Sequence, residues 1–216
     1  MSLKQIEAHL ISALAGTLPG VEAQLRLAPR PRVGWDPYRL PEGLRDGAAL
    51  LLLYPHRDRA GTPTAHVLLT VCGAGLRKHS GQVSFPGGSV DPNESFETAA
   101  LREASEEVGL VPAAVRVLGH LTPLHIPVSG FALHPVIGVV DERPAFHIDD
   151  WEVARLLEVP LDVLRDPSIV KRETRIREHE GKSYEMEWPY FAIDGEKVWG
   201  ATAMALAEFL ALLEVA

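Results

Sequence analysis

The segment GGSVDPNESFETAALREASEEVGL, from Gly87 to Leu110, holds six carboxylates (Asp91, Glu94, Glu97, Glu103, Glu106, Glu107) and a single cation, Arg102. Like charges three or four residues apart on a helix repel one another. A water-exposed acidic helix normally intersperses lysine, and this one has none. Clustered carboxylates suit a hard divalent cation, since Mg2+ takes oxygen ligands and commonly keeps waters and substrate phosphate oxygens as well. Two readings stand from the residues alone, a metal site and a solvated charged face. FPGG (Phe85 to Gly88), just upstream, favours the metal site, because paired glycines let the backbone come close to a ligand.

The acids need a helix to hold them. Its start is open between Asp91 as N-cap with Pro92 at the first helical position, and Ser95 as N-cap. Gly109 is a natural residue to end it. At helical spacing Phe96, Leu101, Ala104 and Val108 form one apolar stripe, and Glu103, Glu106 and Glu107 form a separate arc. Ala99 and Ala100 fall in that arc and are expected to leave open space beside the acids.

The elements around it are read from apolar runs. Residues 1–27 read as helical, and APRPRVGWDPYRLPEGLRDG (28–47) as an extended arm. AALLLLYP (48–55) and AHVLLTVC (65–72) read as buried strands forming a hairpin. VRVLGHLTPL and LHPVIGVVDE give two more strands. DDWEVARLLEVPLDVLRD mixes a short strand with a helix, RETRIREHEGKSYEMEWPYFAID reads as a solvent-facing hairpin, and ATAMALAEFLALLEV as a closing helix. Strands and helices without strict alternation predict an α+β sandwich.

With 216 residues, 46% of them hydrophobic, the chain reads as one globular domain spanning 1–216. No run of about 18 apolar residues implies a membrane span. The N-terminus reads as an amphipathic helix that stays with the protein rather than a signal peptide. Net charge is −8, so a general nucleic-acid-binding surface is not expected. Cys72, the lone cysteine, excludes an internal disulfide, suits a cytoplasmic location and reads as a packed strand residue.

Gly88, Glu94, Arg102, Glu103, Glu106, Glu107 and Gly109 stand at spacings that resemble the Nudix box, with the small Ala104 at a position usually bulkier. The resemblance implies an α+β Nudix fold, a mixed β-sheet sandwiched between helices. It implies hydrolysis of a nucleoside diphosphate linked to another group, with Mg2+ or Mn2+. Glu103, Glu106, Glu107 and the carbonyl of Gly87 match the metal ligands, and Arg102 and Glu94 match positions that orient and brace the motif. Cations bridging a diphosphate screen its repulsion of an incoming nucleophile.

LLTVCGAGLRKHSGQVSFPGG (Leu68 to Gly88) resembles the extension that precedes the box in coenzyme A pyrophosphatases. It implies coenzyme A or a derivative as the small-molecule substrate, cleaved to 3′,5′-ADP and 4′-phosphopantetheine. Arg77, Lys78, His79 and Gln82 are the implied substrate contacts. Cys72-Gly73 depart from the family's Arg and small residue; either coenzyme A binds more weakly here, or Arg77 and Lys78 supply the contact. VWGATA, GFALHPVIGVV and EVARLLEVPL extend the likeness over residues 45–212. A homodimer is expected from the family, with the N-terminal arm available to serve it.

The general base is open among Glu106, Glu103 and Glu152, the last being either an acid on a loop facing the metals or a surface charge at a helix start. Arg102 counts with the catalytic set because it orients the acids. His120, His125, His134 and His147 lack metal-ligand spacing and read as strand and loop residues. Trp199 either stacks an adenine or packs beneath the last helix; Trp35, Tyr38, Trp188 and Tyr190 carry no assigned role. The arginines of RPR and KRETRIRE read as solvated faces. ADP-ribose, NADH or a nucleoside triphosphate is the alternative substrate, and a non-catalytic nucleotide-binding module the alternative class.

Overall fold

Thr17-Leu18-Pro19 interrupts the N-terminal helical stretch, which folds as α1 (Leu3–Leu14) and α2 (Gly20–Gln24) rather than as one helix. The structure, a computed structural model, describes residues 2–32, 34–57, 61–73, 81–127 and 129–214. After the arm come β1 (Arg45–Arg57), β2 (Pro63–Cys72), β3 (Val83–Ser84), β4 (Gly87–Ser89) and α3 (Phe96–Val108). Then follow β5 (Arg116–His120), β6 (Leu124–Ile126), β7 (Phe131–Val139), β8 (Val153–Pro160) and α4 (Leu161–Leu164). The chain ends with β9 (Val170–His179), β10 (Lys182–Ile193), β11 (Glu196–Trp199) and α5 (Gly200–Leu212).

The main sheet runs β3-β2-β1-β7-β5, with β4 on β1, β6 on β7 and β8 on β2. The pair β1–β7 is parallel and every other pair is antiparallel, so the sheet is mixed. β1 is apolar without alternation because both of its faces are covered. Ala49, Leu51 and Leu53 join the core beneath α1 and α5, while Ala48, Leu50, Leu52 and Tyr54 join the core beneath α3. The fold is thus the expected mixed sheet between helices.

α5 is apolar nearly all round and correspondingly buried. Its one acid, Glu208, is fully buried and accepts four hydrogen bonds. These come from Gly20 N–H (3.1 Å), Gln24 Nε2 (2.7 Å), Thr122 N–H (3.2 Å) and Thr122 Oγ1 (2.7 Å). That carboxylate ties the last helix to α2 and to the loop between β5 and β6.

β9, β10 and β11 form a second, antiparallel sheet. The arm docks on it: Arg30 and Glu187 exchange two main-chain hydrogen bonds, at 2.9 and 2.7 Å. No helix among the described residues is long and apolar enough to cross a membrane.

Candidate active site

Ser95 is the N-cap of α3, its hydroxyl accepting from Thr98 N–H at 3.2 Å, and Gly109 closes the helix at φ 68°. Asp91 to Glu94 form a turn instead, with Glu94 N–H on the Asp91 carbonyl at 3.0 Å. Ala99, Ala100, Ala104 and Val108 are fully buried against β1. The two alanines therefore leave no open space beside the acids; their small size lets α3 lie close to the sheet and carries Glu107 onto the buried face. The glycine pair also serves the chain itself. A Cβ on Gly87 would collide with Ala48 and Ala49, and one on Gly88 with the Glu103 carboxylate.

Arg102 answers much of the charge crowding. Its guanidinium grips Glu94 in a fork (Nε to Oε1 3.0 Å, Nη2 to Oε2 3.1 Å) and donates to Glu103 at 2.8 Å and to the Ser89 carbonyl at 3.0 Å. It also reaches Glu106 at 3.4 Å. Such forked bonds orient as well as attract.

Glu107 is left without that help. It is only 9% exposed, and burial pushes its carboxyl up to about 8. A hydrogen bond from Gly87 N–H opposes the rise, while the charges of Glu103, Glu152 and Glu106 add to it. Burial likewise raises Glu103, with Arg102 opposing. Glu152 lies on the turn before β8, not at a helix start, near enough for its charge to act on both acids. Among the described residues no three acids, histidines or cysteines converge on one point as they stand, and Arg102 holds Glu103 and Glu106.

The match to a family model for the NUDIX domain covers residues 44–178, more than half of the chain. The chain belongs to the Nudix family. A protein of Pectobacterium atrosepticum named "Uncharacterized Nudix hydrolase NudL" is 52% identical over 101 residues, 46% of this chain and 52% of that one. A NudL of Enterobacter sp. is 37% identical over 168 residues, covering 76% and 81%. The chain thus spans about half the length of the first relative and most of the second. Among solved structures, a Nudix hydrolase from M. smegmatis, RenU, aligns at TM-score 0.46 with 28% identity, covering 56% of this chain and 74% of that one. A C. elegans Ap4A hydrolase aligns at TM-score 0.46 with 20% identity, covering 55% and 82%.

Residues of the Nudix segment and its flanks line a cavity of about 530 Å³ that opens to solvent. Glu107, Gly87, Gly88, Gln82 and Cys72 line it, together with Trp35, Trp188 and Trp199 from outside residues 44–178. The β9–β10 hairpin is present as expected, but it is not wholly solvent-facing. Met186, Trp188, Arg177 and His179 line the cavity, and so does Arg32 of the arm, which stays exposed as its reading as a solvated residue had it. The arm packs on its own chain's hairpin. His125 also lines the cavity, whereas His120 pairs with Glu97 and His134 with Asp46. Cys72 is half-buried, and burial raises its thiol, which fits an unreactive strand residue. Arg77, Lys78 and His79 lie outside the described residues. Trp35 and Trp188 carried no sequence signal, since they are far apart in the chain and only the fold brings both to the cavity that Glu107 lines.

Proposed function

We propose that the chain is a divalent-metal-dependent pyrophosphatase that cleaves coenzyme A or its derivatives to 3′,5′-ADP and 4′-phosphopantetheine, or to an acylated form of the latter. One observation carries the reading. The buried, charge-crowded Glu107 shares its cavity with residues of both the box and the extension, namely Gly87 and Gly88, and Cys72, Gln82 and Phe85. Hydrolysis, rather than ligand binding alone, fits the intact acids of the box.

The donor set fits a hard cation. An anionic Glu107 is disfavoured by burial and by three neighbouring acids, and a divalent charge offsets both effects. Glu103, Glu106 and Glu107, with the Gly87 carbonyl, would hold Mg2+ or Mn2+, which would compete with Arg102 for the first two. Such a cation supplies charge screening for the diphosphate and a more acidic water. Arg102 orients Glu103 and Glu106, and Glu94 braces Arg102. Proton acceptance from the attacking water falls to Glu103, Glu106 or Glu152. Gln82, which lines the cavity, is read as a substrate contact, and Arg77, Lys78 and His79 remain part of the reading through the extension they belong to.

Residues 1–216 are read as one unit, because arm, hairpin and α5 all wall the same cavity. A cytoplasmic homodimer, with no nucleic-acid or membrane partner, completes the proposal on the family resemblance. Cys72, facing the cavity where the family carries Arg, favours a second substrate reading: ADP-ribose, NADH or a nucleoside triphosphate. Incubation with Mg2+ or Mn2+ and coenzyme A, ADP-ribose, NADH or dGTP, with products separated by chromatography, decides between them. The highest kcat/KM is expected on coenzyme A or a thioester; faster turnover of ADP-ribose overturns the assignment.

A further inference from the structure

Three buried side-chain nitrogens have no hydrogen-bond partner among the described residues: Nε1 of Trp35, Nε1 of Trp188 and Nδ1 of His125. All three residues line the cavity that Glu107 borders. A buried polar nitrogen left unpaired costs about 1–3 kcal/mol, so two indole donors and an imidazole nitrogen on one cavity mark a place where a ligand's polar groups satisfy them. Around them the lining is apolar, with Phe85, Leu124, Met186 and Met204.

The paired indoles of Trp188 and Trp199 are poor platforms for a base. Trp188 and Trp199 meet edge to face with centroids 5.4 Å apart, and the Arg175 guanidinium lies 5.2 and 5.1 Å from the two rings. Guanidinium already covers ring surface that a base would stack on. The N–H edge of Trp188 is what remains. It and Trp35 stand on the two elements, β10 and the arm, that are joined by the Arg30–Glu187 hydrogen bonds. Both nitrogens are closed off from bulk water and left without a partner.

We propose that this compartment is a specificity site for the neutral arm of a diphosphate substrate. The arm it fits is a long, mostly apolar chain carrying amide carbonyls, of the pantetheine type, with Trp35 and Trp188 as the donors that select it. The inference rests on the coenzyme A reading and names the half of the substrate that the compartment takes. A nucleotide half, with its additional phosphate, belongs instead with the cavity's cations, the exposed Arg32 and half-exposed Arg177. Because Trp35, Trp188 and Trp199 lie outside residues 44–178, selection of the arm is a property of the flanks rather than of the Nudix segment.

Pantetheine, which carries no phosphate, is titrated into wild type, Trp35→Phe and Trp188→Phe, followed by tryptophan emission and calorimetry, with 3′,5′-ADP in parallel. Phenylalanine keeps the ring and removes the N–H. Wild type is expected to bind pantetheine saturably, and each variant about tenfold more weakly, the scale of one lost hydrogen bond, with 3′,5′-ADP affinity held. Thermal melting checks that the variants fold; should either unfold, Ala201→Trp, which fills the cavity, is expected to abolish pantetheine binding. No saturable pantetheine binding, unchanged affinity in the folded variants, or loss of 3′,5′-ADP affinity instead overturns the proposal. Coenzyme A left intact by a protein that binds pantetheine sinks the activity reading alone. Coenzyme A cleaved with an unmoved KM in both variants sinks the compartment alone.

Discussion

Glu107 concentrates the chemistry of this chain in one side chain. It is buried, surrounded by the charges of Glu103, Glu106 and Glu152, and helped by a single main-chain donor. Arg102 supports its neighbours instead, with a forked grip on Glu94 that a lysine has no geometry to reproduce. Replacing Glu107 by Gln keeps the shape and removes the charge. Turnover in Mg2+ should then fall at least about a hundredfold, the scale of losing one preorganised electrostatic contact. Steady-state kcat measured against wild type checks this, and an unchanged value removes Glu107 from the catalytic centre.

At the scale of elements, two devices position the site. The Ala99-Ala100-Ala104 face lets α3 lie close to β1, which sets the height of the acids above the sheet. Glu208 locks α5, whose first turn lines the cavity, to α2 and Thr122. Glu208→Ala would take the acceptor from two part-buried main-chain N–H groups, from the Thr122 hydroxyl and from one N–H of the Gln24 amide, which keeps its bond to the Thr122 carbonyl. Stability should drop by about 3 kcal/mol, as for other buried hydrogen-bonded groups that lose a partner. Urea unfolding reads the loss, and a change below about 1 kcal/mol would mean the stranded donors find other acceptors.

The whole molecule couples folding to pH through the same acid. Glu107 keeps its proton up to about pH 8 in the fold but releases it near 4.5 when unfolded. Between those values the metal-free fold binds the extra proton, so its stability is greatest below the lower value and falls as pH climbs through the upper. A divalent cation needs the unprotonated carboxylate and should stabilise more at pH 8 than at pH 6. Thermal melts with chelator and with Mg2+ at both pH values test this: the chelated protein should melt lower at pH 8, and Mg2+ should raise Tm more there. A chelated Tm that rises with pH would contradict the account.

The sequence by itself determined the family, the acids and the covered strand, because these are local or fixed-spacing properties. Gly88 to Leu110 carries the box within one loop and helix, and an unbroken apolar run such as Ala48 to Pro55 declares burial on both faces. Two helix starts were both consistent with local chemistry; the structure takes Ser95, because Asn93 sits at φ 68° and that left-handed residue breaks any helix begun at Asp91. Only the tertiary structure decided which acid is buried, since helical spacing alone placed Glu107 beside Glu103 and Glu106 without saying which side meets the sheet. It alone brought Trp35 and Trp188 to one cavity across more than half the chain. That juxtaposition is made by main-chain pairing between the arm and β10, and backbone hydrogen bonds leave no periodic mark on the residues they join.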